Sequence, residues 1–144
     1  MEIRLLCEYM QNPTGVDTAA PLLSWCADAP ETVIDAAFLN LWDAAGRILW
    51  QQTVRPDEGR IAYSGPPLKS GRTYRWQVKL MYEGGECTSQ EAQFTMGLLQ
   101  ETPWQAGWVG GIRIDAKCYL YRHEWVAKKP VRSAAAFVAS PNYN

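Results

Sequence analysis

The segment TYRWQVKL, residues 73–80, is the feature that most limits what this chain can fold into. Apolar and polar residues alternate through it, and a period of two places the apolar set on one face of a β-strand. The apolar set is Tyr74, Trp76, Val78 and Leu80. No stretch of useful length repeats its apolar residues with the period of a helix. The other apolar runs are short and separated by Gly, Pro, Asp and Asn, which is typical of an antiparallel sandwich.

Seven such runs predict seven β-strands in the first part of the chain. They lie at residues 3–10, 22–27, 33–42, 47–54, 60–64, 73–80 and 88–96. Seven short strands with turn residues at nearly even spacing indicate an all-β fold. We therefore predict a seven-stranded fibronectin-III/immunoglobulin-like antiparallel sandwich over residues 1–98.

A corner at residues 12–17 separates the first two predicted strands. Proline lacks a backbone N–H and fixes φ, so Pro13 and Pro21 suit a strand entrance or an edge better than the interior of a ladder. We expect this corner to break the first edge strand and let the chain change sheets. Trp25 then supplies a large buried anchor.

The character of the sequence changes over residues 99–144. A linker comes first, and two apolar runs at 118–127 and 131–140 predict the first strands of a second β-sandwich module. Two or three strands in so short a segment cannot enclose a core of their own. We therefore predict an incomplete second domain over residues 99–144, and we expect the sequence to be the front part of a longer protein.

Composition and charge exclude several classes of partner. The net charge is −1 without a charged block, which gives no electrostatic basis for binding nucleic acid or an anionic membrane. No segment approaches the ~20 apolar residues of a membrane span, and residues 5–7 are too few for a secretory signal, so we expect a cytoplasmic protein. The four cysteines form no C-x-x-C pair. This favours scattered reduced thiols over a zinc site, while disulfides stay open.

Catalytic motifs fail on residue spacing. His123 and Glu124 look like the start of an H-E-x-x-H helix, but Ala127 stands where the second histidine is needed, and the chain has one histidine. The segment alternates like a strand, which favours a charged pair on a sheet surface. Aspartates such as Asp43 fall mainly in turns, where they form local hydrogen bonds. We predict no catalytic residue, no metal ligand and no cofactor in this chain.

The seven tryptophans supply the candidate contact residues. Aromatic rings stack on the apolar side of sugar rings, and Trp42 and Trp50 flank a predicted hairpin. We consider a sugar contact for this pair, with core packing as the alternative because Trp buries a large area. Trp104 and Trp108 lie in the linker, and we expect them to pack between domains.

Five motifs and one longer segment follow one another in a defined order along nearly the whole chain. The motifs are CEYMQNPTGVDTAAPLLSW, AAGRILWQQTV, AYSGPPLKSGRTYRWQVKL, FTMGLL and WQAGWVGG, and the segment is YLYRHEWVAKKPVRSAAAFVAS. In this order they resemble the N-terminal, fibronectin-type-III-like region of bacterial alpha-L-rhamnosidases. The resemblance implies a parent enzyme that removes terminal alpha-L-rhamnose from glycosides by inverting hydrolysis.

The resemblance also implies where the chemistry of such an enzyme lies. Inversion keeps the acid and base carboxyls ~6.5–9.5 Å apart, and in this family both sit on a helical barrel several hundred residues further on. This chain would then be an inactive, non-catalytic portion. Its partners would be the downstream domains of the parent enzyme and, through them, rhamnosyl glycosides.

Two alternatives of a different class stay open. The excess of tryptophan would suit a stand-alone carbohydrate-binding module. An exposed strand edge would suit a protein-interaction module that works by β-augmentation. Unpaired strands in residues 99–144, with the apolar run at 134–138, also lead us to expect that the chain self-associates.

Overall fold

A computed structural model describes residues 1–55, 58–99, 106–110, 119–131, 134 and 136–138. The chain divides into two compact units, Met1–Thr102 and Pro103–Asn144. All strands of the described residues lie in the first unit. They are β1 Ile3–Cys7, β2 Thr14–Val16, β3 Leu22–Ala27, β4 Ile34–Trp42, β5 Ile48–Val54, β6 Arg60–Ala62, β7 Thr73–Tyr82, β8 Gly85–Thr88 and β9 Ala92–Met96. No helix in the described part of the chain is long and apolar enough to cross a membrane.

The strands form two sheets. One contains three strands in the order β1-β3-β6, and the other has the order β2-β9-β7-β4-β5 with β8 beside β7. The pairs are antiparallel except β2 with β9, which is parallel. The predicted all-β sandwich is therefore confirmed. The described residues form nine strands where the sequence predicted seven, because of two short strands discussed below.

One hydrophobic cluster draws its side chains from both sheets. The three-stranded sheet contributes Ile3, Leu5, Cys7, Leu23 and Trp25, and the six-stranded sheet contributes residues that include Leu39, Leu41, Trp76, Val78, Phe94 and Met96. Strand β7 shows the predicted alternation along most of its length. Its central Trp76 is 0% exposed. Burial of one such large apolar side chain stabilises the fold by roughly 1.5–3 kcal/mol.

The chain changes sheets between β1 and β3, as predicted, but β1 ends at Cys7 rather than at residue 10, and the predicted corner at 12–17 contains β2. A tight turn at Cys7–Met10 has positive φ (48° and 63°) at both central residues, and each end residue donates its N–H to the carbonyl of the other. Glu8 Oε1 accepts the N–H of Leu22 at 2.6 Å, which fixes this turn against β3. Beyond the turn, the Pro13 carbonyl accepts the N–H of Thr95 at 2.9 Å. The chain thus leaves the three-stranded sheet after β1 and joins the six-stranded sheet as β2.

Strand β2 is three residues long and was not predicted, because it depends on contacts distant in sequence. Gly15 has a φ of 82°, a backbone conformation that favours glycine. A Cβ on Gly97 would lie 3.1 Å from the Gly15 carbonyl oxygen, so the two segments approach closely. The Gly97 N–H donates to the Val16 carbonyl at 2.7 Å. Two glycines therefore permit the parallel pairing of β2 with β9.

The predicted strand at 88–96 forms only from Ala92 onward, as β9; the unpredicted β8, Gly85–Thr88, ends where the prediction begins, and residues 89–91 separate the two strands. Ser89 is buried, and its N–H donates to the Val78 carbonyl at 2.9 Å while its Oγ accepts the N–H of Val78 at 3.1 Å. The Ser89 Oγ also donates to the Gln90 carbonyl at 2.8 Å. A side-chain hydroxyl thus replaces one backbone acceptor of the ladder, and β7 pairs with β8 on one side of Ser89 and with β9 on the other.

The described residues of the second unit, taken by themselves, are exposed and carry no assigned strand. Side chains two residues apart stack, Tyr119 on Tyr121 with ring centroids 6.3 Å apart and His123 on Trp125 at 6.0 Å. The strands predicted at 118–127 and 131–140 are therefore not formed in the described parts of these segments, because no neighbouring strand pairs with them there. The second module itself stays a prediction, as does the boundary after residue 98.

Candidate functional site

The hairpin of β4 and β5 carries both tryptophans that the sequence offered as sugar contacts, but it places them on opposite sides. Trp50 lies opposite Leu41, which is 0% exposed, so Trp50 points into the core. Trp42 follows Leu41 in the same strand and therefore projects from the outer face of the sheet. The two rings do not form one platform.

Trp50 is part of the core. It is 8% exposed, and its ring meets the ring of Tyr63 edge-on with centroids 4.9 Å apart. The Tyr63 hydroxyl donates to the Pro66 carbonyl at 2.5 Å, which holds the 63–66 loop beside this pair, and burial raises the pKa of Tyr63. A Cβ on Gly65 would lie 2.9 Å from the Trp50 Cβ, so the loop covers the tryptophan closely. Trp50 has little surface left for a sugar.

The outer hairpin face is the surface on which Trp42 lies, and it comprises Phe38, Asn40, Trp42, Ile48, Gln51 and Thr53. Alternate residues of β4 give a row in which a polar Asn40 lies between two aromatic rings. The Gln51 side-chain amide donates to Asn40 Oδ1 at 2.7 Å across the β4–β5 pair. A shallow groove of ≈260 Å³ is lined by Phe38, Asn40, Gln51, Gln52 and Thr53, together with Leu39. Sequence reasoning missed these neighbours, although the alternation of FLNLW would have placed Phe38 and Asn40 beside Trp42.

Two ion pairs border the outer hairpin face on its β7 side. Arg75 contacts Glu91 at 3.1 Å, and Lys79 contacts Glu86 at 2.5 Å. Both cations extend from the outer side of β7, opposite Trp42 and Phe38 in the β4–β7 register. Since each has a carboxylate partner, the charges beside the outer hairpin face are compensated.

A second cleft, of ≈360 Å³, lies at the turn that joins β4 to β5. Its lining comprises Asp43, Ala44, Ala45, Arg47, Leu49, Pro67, Lys69, Arg72, Thr73 and Tyr74. The Asp43 carboxylate accepts the N–H groups of Arg47 and Ala45, both at 2.9 Å, and pairs with the Arg47 guanidinium at 2.7 Å. These interactions, above all the hydrogen bond from the Arg47 N–H, lower the pKa of Asp43. Its oxygens thus hold the turn together.

The other groups that could carry out chemistry are the Cys7 thiol and the His123 side chain. The thiol of Cys7 is 1% exposed, and burial, with a smaller contribution from Glu8, raises its pKa to about 12, so it is not a nucleophile at neutral pH. His123 lies against the ring of Trp125 in the second unit. Within the described ranges, no group of three or more His, Cys, Asp or Glu side chains could hold a metal ion.

The two linker tryptophans differ in what can be said of them. Trp108 is 77% exposed within the described residues. Trp104 lies outside the described residues. Their expected role in packing between domains therefore stays a prediction.

Sequence relatives of this chain are much longer than it. A family model described as the Rha78A-like, N-terminal immunoglobulin domain matches residues 3–100. The alpha-L-rhamnosidase of Streptomyces avermitilis is 30% identical over 112 residues, which cover 71% of this chain and 11% of that protein. The alpha-L-rhamnosidase of Formosa agariphila is 28% identical over 116 residues, with 73% and 12% covered.

Solved structures show the same relation. The crystal structure of Streptomyces avermitilis alpha-L-rhamnosidase complexed with L-rhamnose matches with a TM-score of 0.56 and 28% identity over 67% of this chain and 10% of that one. The structure of alpha-L-rhamnosidase from Dictyoglumus thermophilum matches with a TM-score of 0.61 and 26% identity over 74% and 13%. The chain thus spans about a tenth of the length of the relatives it matches.

Proposed function

This chain belongs to the family of Rha78A-like N-terminal immunoglobulin domains, and from that premise we propose that it serves an alpha-L-rhamnosidase as a non-catalytic β-sandwich. The parent enzyme would hydrolyse terminal alpha-L-rhamnose from glycosides, so rhamnosyl glycosides would be its substrates. The partners of this sandwich would be the downstream domains of the same polypeptide.

The match of the family model to residues 3–100 is the observation that carries this proposal. It coincides with the strands β1 to β9 and their shared core, while the two curated relatives continue for many times that length. The local use of Asp43 supports a scaffold role, because an inverting hydrolase needs two carboxyls ~6.5–9.5 Å apart that face a bound sugar. Asp43 instead has its oxygens engaged by the turn that it caps.

A comparison of two polypeptides with one chromogenic substrate tests the proposal. The DNA that follows codon 144 is sequenced, and the product of the whole reading frame is assayed beside the 144-residue chain with p-nitrophenyl alpha-L-rhamnopyranoside. We expect hydrolysis, with inversion at the anomeric carbon followed by NMR, from the longer product only. Release of p-nitrophenol by the 144-residue chain alone, or a longer product that acts on a different glycoside, would contradict the proposal.

We also propose that the isolated chain self-associates through its second unit. Leu120 is 98% exposed, Val126 89% and Trp125 77%, and apolar side chains without cover favour pairing with another copy. Light scattering over a range of protein concentrations tests this expectation. A strict monomer at every concentration would remove it, and with it the support for a protein-interaction module.

A cytoplasmic location is a further proposal, supported by the thiols. Cys7, Cys26 and Cys87 are free, which suits a reducing compartment. Alkylation of the protein in freshly lysed cells, before any reductant is added, tests this point by mass spectrometry. Full alkylation of the exposed Cys26 is expected, whereas a disulfide at this residue would oppose the proposal.

A further inference from the structure

We propose that the outer hairpin face binds a neutral oligosaccharide, with the rings of Trp42 and Phe38 as stacking surfaces and the amides of Asn40 and Gln51 as hydrogen-bonding groups. This inference goes beyond the proposed function, because a domain that acts as a scaffold needs no ligand of its own. It also replaces the pairing of Trp42 with Trp50 by a pairing of Trp42 with Phe38.

The spacing of the row suits a chain of sugars better than a single ring. Phe38 and Trp42 are four residues apart on β4, which at ~3.4 Å per residue separates them by roughly 14 Å along the strand. Asn40 lies between them on the same face. Phe38 is 38% exposed and Trp42 is half-buried, so both rings offer surface to a ligand. Two aromatic rings with a polar group between them would contact successive units of one oligosaccharide.

The polar groups between the rings match sugar hydroxyls. An amide carries both a donor and an acceptor, as does a hydroxyl, so Asn and Gln can satisfy a hydroxyl in either direction. The hydrogen bond of 2.7 Å between Gln51 and Asn40 holds the two amides side by side at the wall of the ≈260 Å³ groove. Thr53 adds a hydroxyl at the same wall.

The charges around the groove favour a neutral ligand. The groove is lined by uncharged side chains, and the two cations of the adjacent strand β7, Arg75 and Lys79, are each paired with a glutamate. Neither of these two cations is therefore left without a carboxylate to attract an acidic peptide or a nucleic acid. A neutral carbohydrate needs no unpaired cation, because its hydroxyls and its apolar ring faces are recognised by amides and aromatic rings.

The composition of the surface disfavours a protein partner, including a second copy. A stable protein interface buries roughly 800 Å² on each partner around a well-packed apolar centre. The outer hairpin face offers two partly exposed rings and Ile48 among amides and a threonine. That is little for a protein, but it is the usual composition of a small-ligand site, where a few apolar surfaces surround placed polar groups.

Titration of the isotopically labelled 144-residue chain tests the proposal by NMR. The probes are L-rhamnose, a neutral rhamnosyl disaccharide, a neutral xylo-oligosaccharide and, for charge, an oligomer of uronic acid. We expect the backbone amide signals of residues 38–42 and 48–53 to shift with a neutral oligosaccharide, and binding to be weaker with the monosaccharide. No shift at tens of millimolar of any neutral probe would overturn the proposal, as would tighter binding of the uronate.

Substitutions test which side chains of the outer hairpin face contact the oligosaccharide. Trp42→Ala and Asn40→Ala should each weaken binding at least tenfold, while Trp42→Phe should keep most of it. Trp125→Ala removes an exposed tryptophan of the second unit and should leave binding unchanged. Phe38→Ala provides an independent test if Trp42→Ala fails to fold, which the dispersion of the amide spectrum reveals. Unchanged binding in the folded variants, or a loss of self-association in place of sugar binding, would show that the face has another occupant.

This test is independent of the assay for the parent enzyme. Binding is measured on the chain itself and needs no hydrolysis. A parent enzyme that acts on another glycoside would leave the sugar-binding result standing. Conversely, a rhamnosidase with an inert outer hairpin face would confirm the scaffold and reject this inference alone.

Discussion

Strand β7 and residues 119–126 have similar sequence patterns and different structures. In both, large side chains recur at every second position. In β7 the pattern becomes a strand with Trp76 fully buried, because β4 pairs along one edge and β8 and β9 along the other. In residues 119–126 large side chains also alternate, and rings two residues apart stack. These residues are nevertheless exposed and carry no assigned strand. Alternation therefore determines which face a side chain takes, whereas neighbouring strands determine whether a strand forms.

The difference should appear most strongly in the response to losing a tryptophan. Trp76→Ala removes the largest fully buried side chain of the core, and we expect a loss of ~3–5 kcal/mol in the free energy of unfolding. Trp125→Ala is the matched change in the second unit, where the side chain is 77% exposed, and should cost less than ~0.5 kcal/mol. Urea unfolding followed by circular dichroism measures both. Equal losses would show that the two regions are packed alike.

The conservative change at the same site sharpens this comparison. Trp76 Nε1 is the buried side-chain donor that lacks a hydrogen-bond partner in the described residues. Trp76→Phe keeps an aromatic ring and removes that donor, so part of the packing loss is offset. We expect a cost below ~2 kcal/mol, well short of that of Trp76→Ala. A cost as large as that of the alanine variant would mean that the indole N–H contributes to stability after all.

Loss of the Ser89 hydroxyl should have an effect of intermediate size. Ser89→Ala leaves the Val78 N–H buried without its acceptor, and an unsatisfied buried group costs ~1–3 kcal/mol. Ser64 is exposed, so Ser64→Ala serves as the control with an expected change within ~0.5 kcal/mol. Urea unfolding gives the stabilities, and amide exchange of Val78 reports the missing acceptor directly. Protection of that amide equal to wild type would contradict the role given to Ser89.

These residues also show how far the sequence alone could reach. The alternation in β7 predicted its buried face, and Pro13 and Pro21 predicted the change of sheets, because both are local properties of the chain. The interruption at Ser89 could not be predicted, since it arises from a hydroxyl that bonds to a residue on a neighbouring strand. Strand β2 was missed for the same reason, because it exists through its close approach to Gly97.

Only part of the candidate surface was predicted, because the register of the hairpin is also not visible in the sequence. Trp42 and Trp50 flank one turn, and sequence spacing treats them as a pair. The strand register separates the two tryptophans. Trp50 lies opposite the buried Leu41, so the Trp50 side chain points into the core. A hairpin register depends on the turn, which Asp43 caps through three donors, and such a turn is recognisable in sequence only as a region of turn residues.

Acid titration tests how the Asp43 carboxylate stabilises that turn. We expect a smaller change in stability than for Ser89→Ala. The pKa of Asp43 is lowered in the folded chain from its ordinary 3.8, so the carboxylate stabilises the fold at pH values above 3.8, and this contribution is lost as the pH falls through the lowered value. Asp43→Asn should lower the urea midpoint slightly at neutral pH. This gap in urea midpoint between the variant and wild type should close in acid. Ser64 is exposed and has no ionisable side chain, so Ser64→Ala is the control for this titration. A gap that persists at the acid end would assign the effect to the turn geometry rather than to the charge.

Removal of the second unit should have the smallest effect, and it tests the comparison most directly. The hydrophobic cluster among the described residues lies wholly between Ile3 and Leu99, so a chain that ends at Thr102 keeps all of it. We expect its free energy of unfolding to match that of the whole chain within ~0.5 kcal/mol. Deletion of residues 1–7 is the contrasting change, because it removes β1 with Ile3, Leu5 and Cys7 and should abolish cooperative unfolding. If truncation after Thr102 costs several kcal/mol instead, residues 103–144 contribute contacts to the sandwich, and exposure in one unit no longer distinguishes it from the other.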